Sequence, residues 1–132
     1  MSVQGQLIRT YEYKRAGQTE MRFSVIDTQT AGGENNIDES LTDATDQLIA
    51  FALDISQTKQ FLMWATGGAI TVKTNSSGTP ADTFSLVADE PICWDVGDSE
   101  FPIPLSADIT ALYGTNSGTA VLHIRALVDP TV

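Results

Sequence analysis

The acidic run around Trp94 holds the residues of this chain whose types and spacing could do chemistry. Asp95, Asp98 and Glu100, preceded by Asp89 and Glu90, could turn several carboxylate oxygens toward a hard cation such as calcium. A calcium loop of the EF-hand kind needs ligands at set positions through about twelve residues, with glycine at the sixth and glutamate at the last. Asp-Val-Gly-Asp-Ser-Glu at 95–100 does not supply that spacing, so the expected state is a solvated loop without metal. The same acids could form a glycosidase pair, since two carboxylates across a cleft suffice for that chemistry. Every acidic protein passes so permissive a test.

Nucleophilic chemistry would have to use His123 or Cys93, the one histidine and the one cysteine. His123 lies between Leu122 and Ile124 in an alternating run, on the face opposite the apolar residues, whereas catalytic groups collect on loops. A structural or surface histidine is the expectation. Cys93 sits between Ile92 and Trp94 with no base nearby to lower its pKa, the setting of a small buried hydrophobe. No Walker-type loop, dinucleotide fingerprint, nucleophile elbow or HExxH motif occurs. The chain therefore reads as non-enzymatic, with no cofactor.

The elements that would position these residues are strands. Period-two alternation recurs, and no window longer than ten residues keeps a helical apolar stripe. In 119–128, Ala120, Leu122, Ile124, Ala126 and Val128 share one face, with Thr119, His123 and Arg125 on the other. Residues 107–113 put Ala107, Ile109, Ala111 and Tyr113 on one face, and Gly114-Thr115-Asn116-Ser117-Gly118 has the chemistry of a hairpin turn joining the two. Further strands are expected at 6–13, 19–27 (Met21, Phe23 and Val25 inward), 47–53, 59–65, 69–74 and 82–88. The polar stretch 28–46 reads as an exposed loop with one short helical turn. About eight antiparallel strands make a two-sheet sandwich, jelly-roll-like first and immunoglobulin-like second, as a single domain over residues 1–132. Its expected core is Phe23, Val25, Ile70, Val72, Phe84, Leu86, Ile109, Tyr113, Leu122 and Ile124.

Composition narrows the partners. A net charge of −10, from seventeen acids against seven bases, disfavours the DNA backbone. Four of those bases, Arg9, Lys14, Arg15 and Arg22, fall in the first 22 residues beside only Glu12 and Glu20, an asymmetry that can orient a subunit against its neighbours. No apolar run reaches membrane-span or signal-peptide length, so a chain made and kept soluble is expected.

One segment resembles a known group. From Ala69 to Asp129 the sequence reads AITVKTNSSGTPADTFSL, then ICWDVG, then DITALYGTNSGTAVLHIRALVD: a strand with an Asn/Ser/Gly turn, a Pro-initiated strand, a short Trp-containing strand and a final stretch ending I-R-A-L-V-D. It is similar to structural proteins of tailed bacteriophages, over nearly half the chain. The resemblance implies a virion component made in the host cytoplasm, most plausibly a head decoration or cement protein. It would bind the outer capsid surface as a small homo-oligomer, a trimer suiting capsid three-fold positions, with a major capsid or other virion protein as partner. A neck or tail protein and a carbohydrate- or ligand-binding module are the competing readings.

The expected subunit contact lies at 59–65. Phe61 and Met63 point one way while Leu62 and Trp64 point the other, so a core filled by the first pair leaves the second outside. Burial of Leu62 and Trp64 against a neighbouring chain would remove that exposed apolar area, unless 28–46 folds over them.

Overall fold

The longest alternating run in the sequence becomes the centre of a sheet. The computed structural model describes residues 3–15, 18–97 and 102–129, with side chains for 4–10, 24–97 and 102–129. Within these lie β1 (Val3–Arg15), β2 (Gln18–Ala31), β3 (Gly33–Thr42), β4 (Gln47–Ile49), β5 (Thr58–Thr66), β6 (Ile70–Thr74), β7 (Thr83–Leu86), β8 (Ile92–Asp95), β9 (Leu112–Thr115) and β10 (Thr119–Val128), with one 3-10 turn at Ile55–Gln57. β10 pairs antiparallel with β3 on one side and β5 on the other.

Two four-stranded sheets, ordered β3-β10-β5-β8 and β4-β9-β6-β7, face each other. Their pairings are nested: β3 with β10, β4 with β9, β5 with β8, and β6 with β7. That is one long hairpin closed at β6–β7 and rolled so that successive pairs fall in alternate sheets. The all-β sandwich expected from the alternation is therefore a jelly roll. Between the sheets lie Leu41, Ile49, Phe61, Met63, Ile70, Val72, Leu112, Leu122 and Ile124, each 2% exposed or less. Gly114 belongs to this interior by necessity, since a Cβ there would come within 2.8 Å of Leu41 Cδ1 and 3.3 Å of Ile49 Cδ1.

Several expectations are corrected. β9 and β10 do not form a hairpin; they belong to opposite sheets, and 114–118 is the arch between them. Asn116 fastens it, donating to Leu41 O at 2.9 Å and accepting from Ala44 N at 3.0 Å, while Gly118, at φ +76°, donates its N–H to Asp43 Oδ1. Tyr113 is half-buried outside the core, where Leu112 and Gly114 point inward instead. The face shifts by one residue because Asn75 holds the preceding segment, its Oδ1 accepting from Thr110 N and its own N–H donating to Ala111 O. Ile109, in a bridge to Leu53, keeps its place in the core. Phe84 packs against the core from a half-buried position.

The stretch 28–46 is no loop. It finishes β2 and supplies all of β3, whose ten residues pair with β10 without a slip. Only Ile37 and Leu41 are apolar there, because an edge strand is held by its ladder and needs little apolar pattern. Residues 6–13 and 19–27 are strands, as expected, but outside the sandwich: β1 and β2 form a separate two-stranded ribbon. Val25 is accordingly half-buried on the ribbon, and the side chains of Met21 and Phe23 lie outside the described residues. Of 47–53 only β4 is strand, although Phe51 and Leu53 are buried beyond it.

Leu122, 0% exposed at the middle of β10, touches both sheets' interior. Leu122→Ala is expected to cost about 2–5 kcal/mol, the transfer of the lost carbons plus the cavity left behind. Urea unfolding checks this: the midpoint falls while the slope stays that of the wild type.

Candidate functional site

The register of β10 gathers the polar chemistry of the described residues onto the outer face of the β3-β10-β5-β8 sheet. His123 stands opposite Asp38 on β3 and Trp64 on β5, and Arg125 opposite Asn36 and Leu62. Side chains so placed are direct cross-strand neighbours. His123 Nδ1 lies 2.5 Å from Asp38 Oδ1, and its Nε2 lies 2.9 Å from Thr66 Oγ1. The imidazole stacks on Trp64 with ring centres 4.7 Å apart and planes 18° from parallel. Arg125 grips the same carboxylate with Nη2, at 2.9 and 3.0 Å, donates from Nη1 to Ile37 O and Ile124 O, and sets its guanidinium 5.6 Å from the Trp64 ring centre. The hydrogen bond from His123, then those from Arg125, hold the Asp38 carboxyl below the usual carboxylate range.

Thr66, His123 and Asp38 follow one another in the order hydroxyl, imidazole, carboxylate, the order used by nucleophilic triads. The surroundings give these groups another use. Asp38 is half exposed and shared with Arg125, and the His123 ring lies flat on Trp64. The cluster staples β3, β10 and β5 together across their outer face.

The ribbon lies over the same face. Its exposed side carries Gln4, Gln6, Ile8, Thr10, Ser24, Ile26, Thr28 and Thr30, and its other side carries Leu7, Arg9, Val25, Asp27, Gln29 and Ala31 toward the sandwich. Gly5 brings the backbone close, since a Cβ there would come within 2.5 Å of Gln60 Oε1 and 3.0 Å of Leu127 Cδ2. Arg9 pairs with Asp27 across the ribbon at 2.6 Å.

Asp95 anchors this contact. It is 0% exposed at the end of β8 rather than on a solvated loop. Gln60 Nε2 donates to its Oδ2 at 2.8 Å, Gln29 Nε2 of the ribbon to its Oδ1 at 3.0 Å, and Gly97 N to Oδ1 at 2.8 Å. Gln60 Nε2 also reaches Asp27 O on the ribbon at 3.0 Å. Asp98 and Glu100, the other two candidates for calcium, lie outside the described residues. Among the described residues no group of three or more His, Cys, Asp or Glu side chains is placed to hold a metal.

Leu62 and Trp64 take the face expected of them, half-buried outside while Phe61 and Met63 fill the core. They share a cleft with Leu7, Ile8, Arg9 and Thr10 of β1 and with Asp89, Pro91 and the half-buried Cys93. The ribbon, and not 28–46, flanks them. The roles of buried Gln60 and half-buried Gln29 were missed from sequence; Gln60 between Lys59 and the apolar run Phe61–Ala65 was the available signal.

No family model matches this chain and no curated protein matches it. A solved structure from work entitled "Bacillus endospore appendages form a novel family of disulfide-linked pili" matches with a TM-score of 0.32 and 17% identity over 74% of this chain and 93% of that one. Likeness at that level carries no functional argument.

Two outcomes check the site. Asp95→Ala removes the shared acceptor of two glutamine amides and is expected to cost about 1–3 kcal/mol, with faster amide exchange along β1 and β2 than in the sandwich. For Asp38 the folded-state pKa is depressed, so its contribution is present above the unfolded value near 3.8 and is lost as pH falls through the lower folded value. Asp38→Asn should therefore flatten the acid limb of the stability curve below pH ~4, read by thermal melts against pH.

Proposed function

We propose that this chain is a non-enzymatic structural protein of a tailed-phage virion, a head decoration component that binds copies of itself and a major capsid or other virion protein. One observation carries the assembly part of this reading. Among the described residues, the exposed side of the ribbon, Gln4, Gln6, Ile8, Thr10, Ser24, Ile26, Thr28 and Thr30, carries no charge, and Ile8 and Ile26 are paired there, 56% and 58% exposed. In a protein of net charge −10 such a face is where another surface can approach without like charges meeting. Apolar side chains gathered on an exposed surface mark contact sites. Leu62 and Trp64, beside Ile8 in the cleft, belong to the same contact zone in this reading.

The virion part rests on the resemblance of Ala69–Asp129 to tailed-phage structural proteins. The jelly roll is compatible with it, being an architecture of viral capsid domains, but lectins and cupins share that architecture and the fold alone does not choose among them. The groups that could do chemistry are engaged in holding strands together: His123 and Asp38 on the outer face, Asp95 under the ribbon.

Light scattering over a concentration series tests the assembly reading. The wild type is expected to exceed the monomer mass, with a trimer as the expected form. Ile8→Ser/Ile26→Ser, and separately Trp64→Ser, should give folded species of monomer mass. A wild type that stays monomeric throughout the micromolar range rejects the reading. The virion location is checked by the neighbouring genes: a major capsid, portal or terminase gene beside this one supports it, and a neighbourhood of secreted glycan-degrading enzymes opposes it.

A further inference from the structure

Strand edges that the topology leaves open point to a specific contact between copies. Among the described residues, the two sheets of the jelly roll end on β3, β8, β4 and β7. Three of these are short, with four residues in β8 and in β7 and three in β4. Short edges are one way β proteins avoid pairing with their neighbours. β3 breaks that pattern with ten residues, and the ribbon strands β1 and β2 have thirteen and fourteen. A row of open N–H and C=O groups of that length is a template for an incoming strand.

Charge decides which long edges can meet. β3 carries Glu34, Asp38 and Glu39 and no base, so two β3 edges side by side would set like charges against each other. With Arg9 and Asp27 paired to each other, β1 carries Lys14 and Arg15 against Glu12, whereas β2 carries Glu20 against Arg22. β1 is thus the long strand complementary to β3. Its surroundings agree. Four consecutive β1 residues, Leu7 to Thr10, border the cleft floored by Leu62, Trp64 and Cys93. Consecutive residues belong to alternate faces of a strand, so the edge of β1 opens onto that cleft. A strand added there would roof Leu62 and Trp64.

We propose that the free edge of β1 in one copy pairs with the free edge of β3 in a second copy, and that this pairing covers Leu62 and Trp64. The inference rests on the assembly reading above and names the contact that performs it. Ribbon and sheet then continue one another across the boundary between subunits.

Charge reversal on the full chain tests the pairing. Lys14→Glu/Arg15→Glu makes the ribbon strand acidic, and Glu34→Lys/Glu39→Lys makes β3 basic, so each variant alone sets like charges across the contact. Each is expected to run as a folded monomer by light scattering, with circular dichroism and melting close to wild type, and a chain carrying all four substitutions, in which β1 is acidic and β3 basic in every copy, should recover the wild-type mass. Salt supplies a second reading on the unmodified protein: near 1 M NaCl the screening length falls to about 3 Å, and the wild-type oligomer should dissociate at least about tenfold more readily. If both variants keep the wild-type mass and salt has no effect, the β1–β3 pairing is overturned while assembly through another surface stands. If the wild type itself is monomeric, the pairing and the assembly reading fall together.

Discussion

The alternation of side chains along β10 is the constraint on which the rest of the structure depends. A strand paired on both sides can present only two sets of residues, and a slip of one would exchange them. Ala120, Leu122, Ile124 and Ala126 go between the sheets, which commits Val121, His123 and Arg125 to the outer face. The unbroken ladder to β3 then brings Asp38 opposite His123, and the ladder to β5 brings Trp64 there from the other side. One periodicity thus builds the core and the polar cluster together. The hydrogen-bonded series Thr66, His123 and Asp38 follows from packing three strands in register.

The second constraint acts near the end of the same strand. Leu127, just before a shift in register with β5 between it and Val128, is 5% exposed, covered by the ribbon where Gly5 makes room for it. Beside it the Asp95 carboxylate collects amide donors from β5 and β2. A buried carboxylate is tolerated only when its oxygens are satisfied, so the ribbon is held to the sandwich by the cost of stranding those groups as well as by the apolar contact. The seam leaves the other side of the ribbon, with Ile8 and Ile26, facing outward.

How much of this was legible in the sequence depended on whether a residue's role was local. β6, β7 and β10 were readable because apolar residues alternate along them, and β5 because it is an apolar run between turn signals; each sits against the interior, as Phe61, Val72, Leu86 and Ile124 do. β3 was unreadable by the same rule. Its polar sequence is held by the ladder to β10, a partner some eighty residues away, and an apolar pattern cannot reveal a pairing of that kind. Tyr113 was misplaced because Asn75, distant in sequence, fixes Thr110 and Ala111 and shifts the alternation by one. Leu62 and Trp64 take the face that alternation alone gives, whereas the ribbon beside them is built from the strands at 6–13 and 19–27, expected in the sandwich, and from the start of 28–46, expected as a loop. Asp95 read as one acid of a solvated loop, and only the approach of Gln29 and Gln60 shows it as a buried acceptor.

In the proposed assembly, the arm outside the jelly roll carries the contact between copies. Hydrogen exchange followed by mass spectrometry on dilute and on concentrated wild-type protein addresses it directly, because amides on open edges exchange quickly until another chain pairs with them. Pairing of β1 with β3 between copies should make concentration slow exchange in both strands and leave β6 and β9, in the opposite sheet, unchanged. Exchange profiles that superimpose at both concentrations, with β1 and β3 as open in one as in the other, would contradict it.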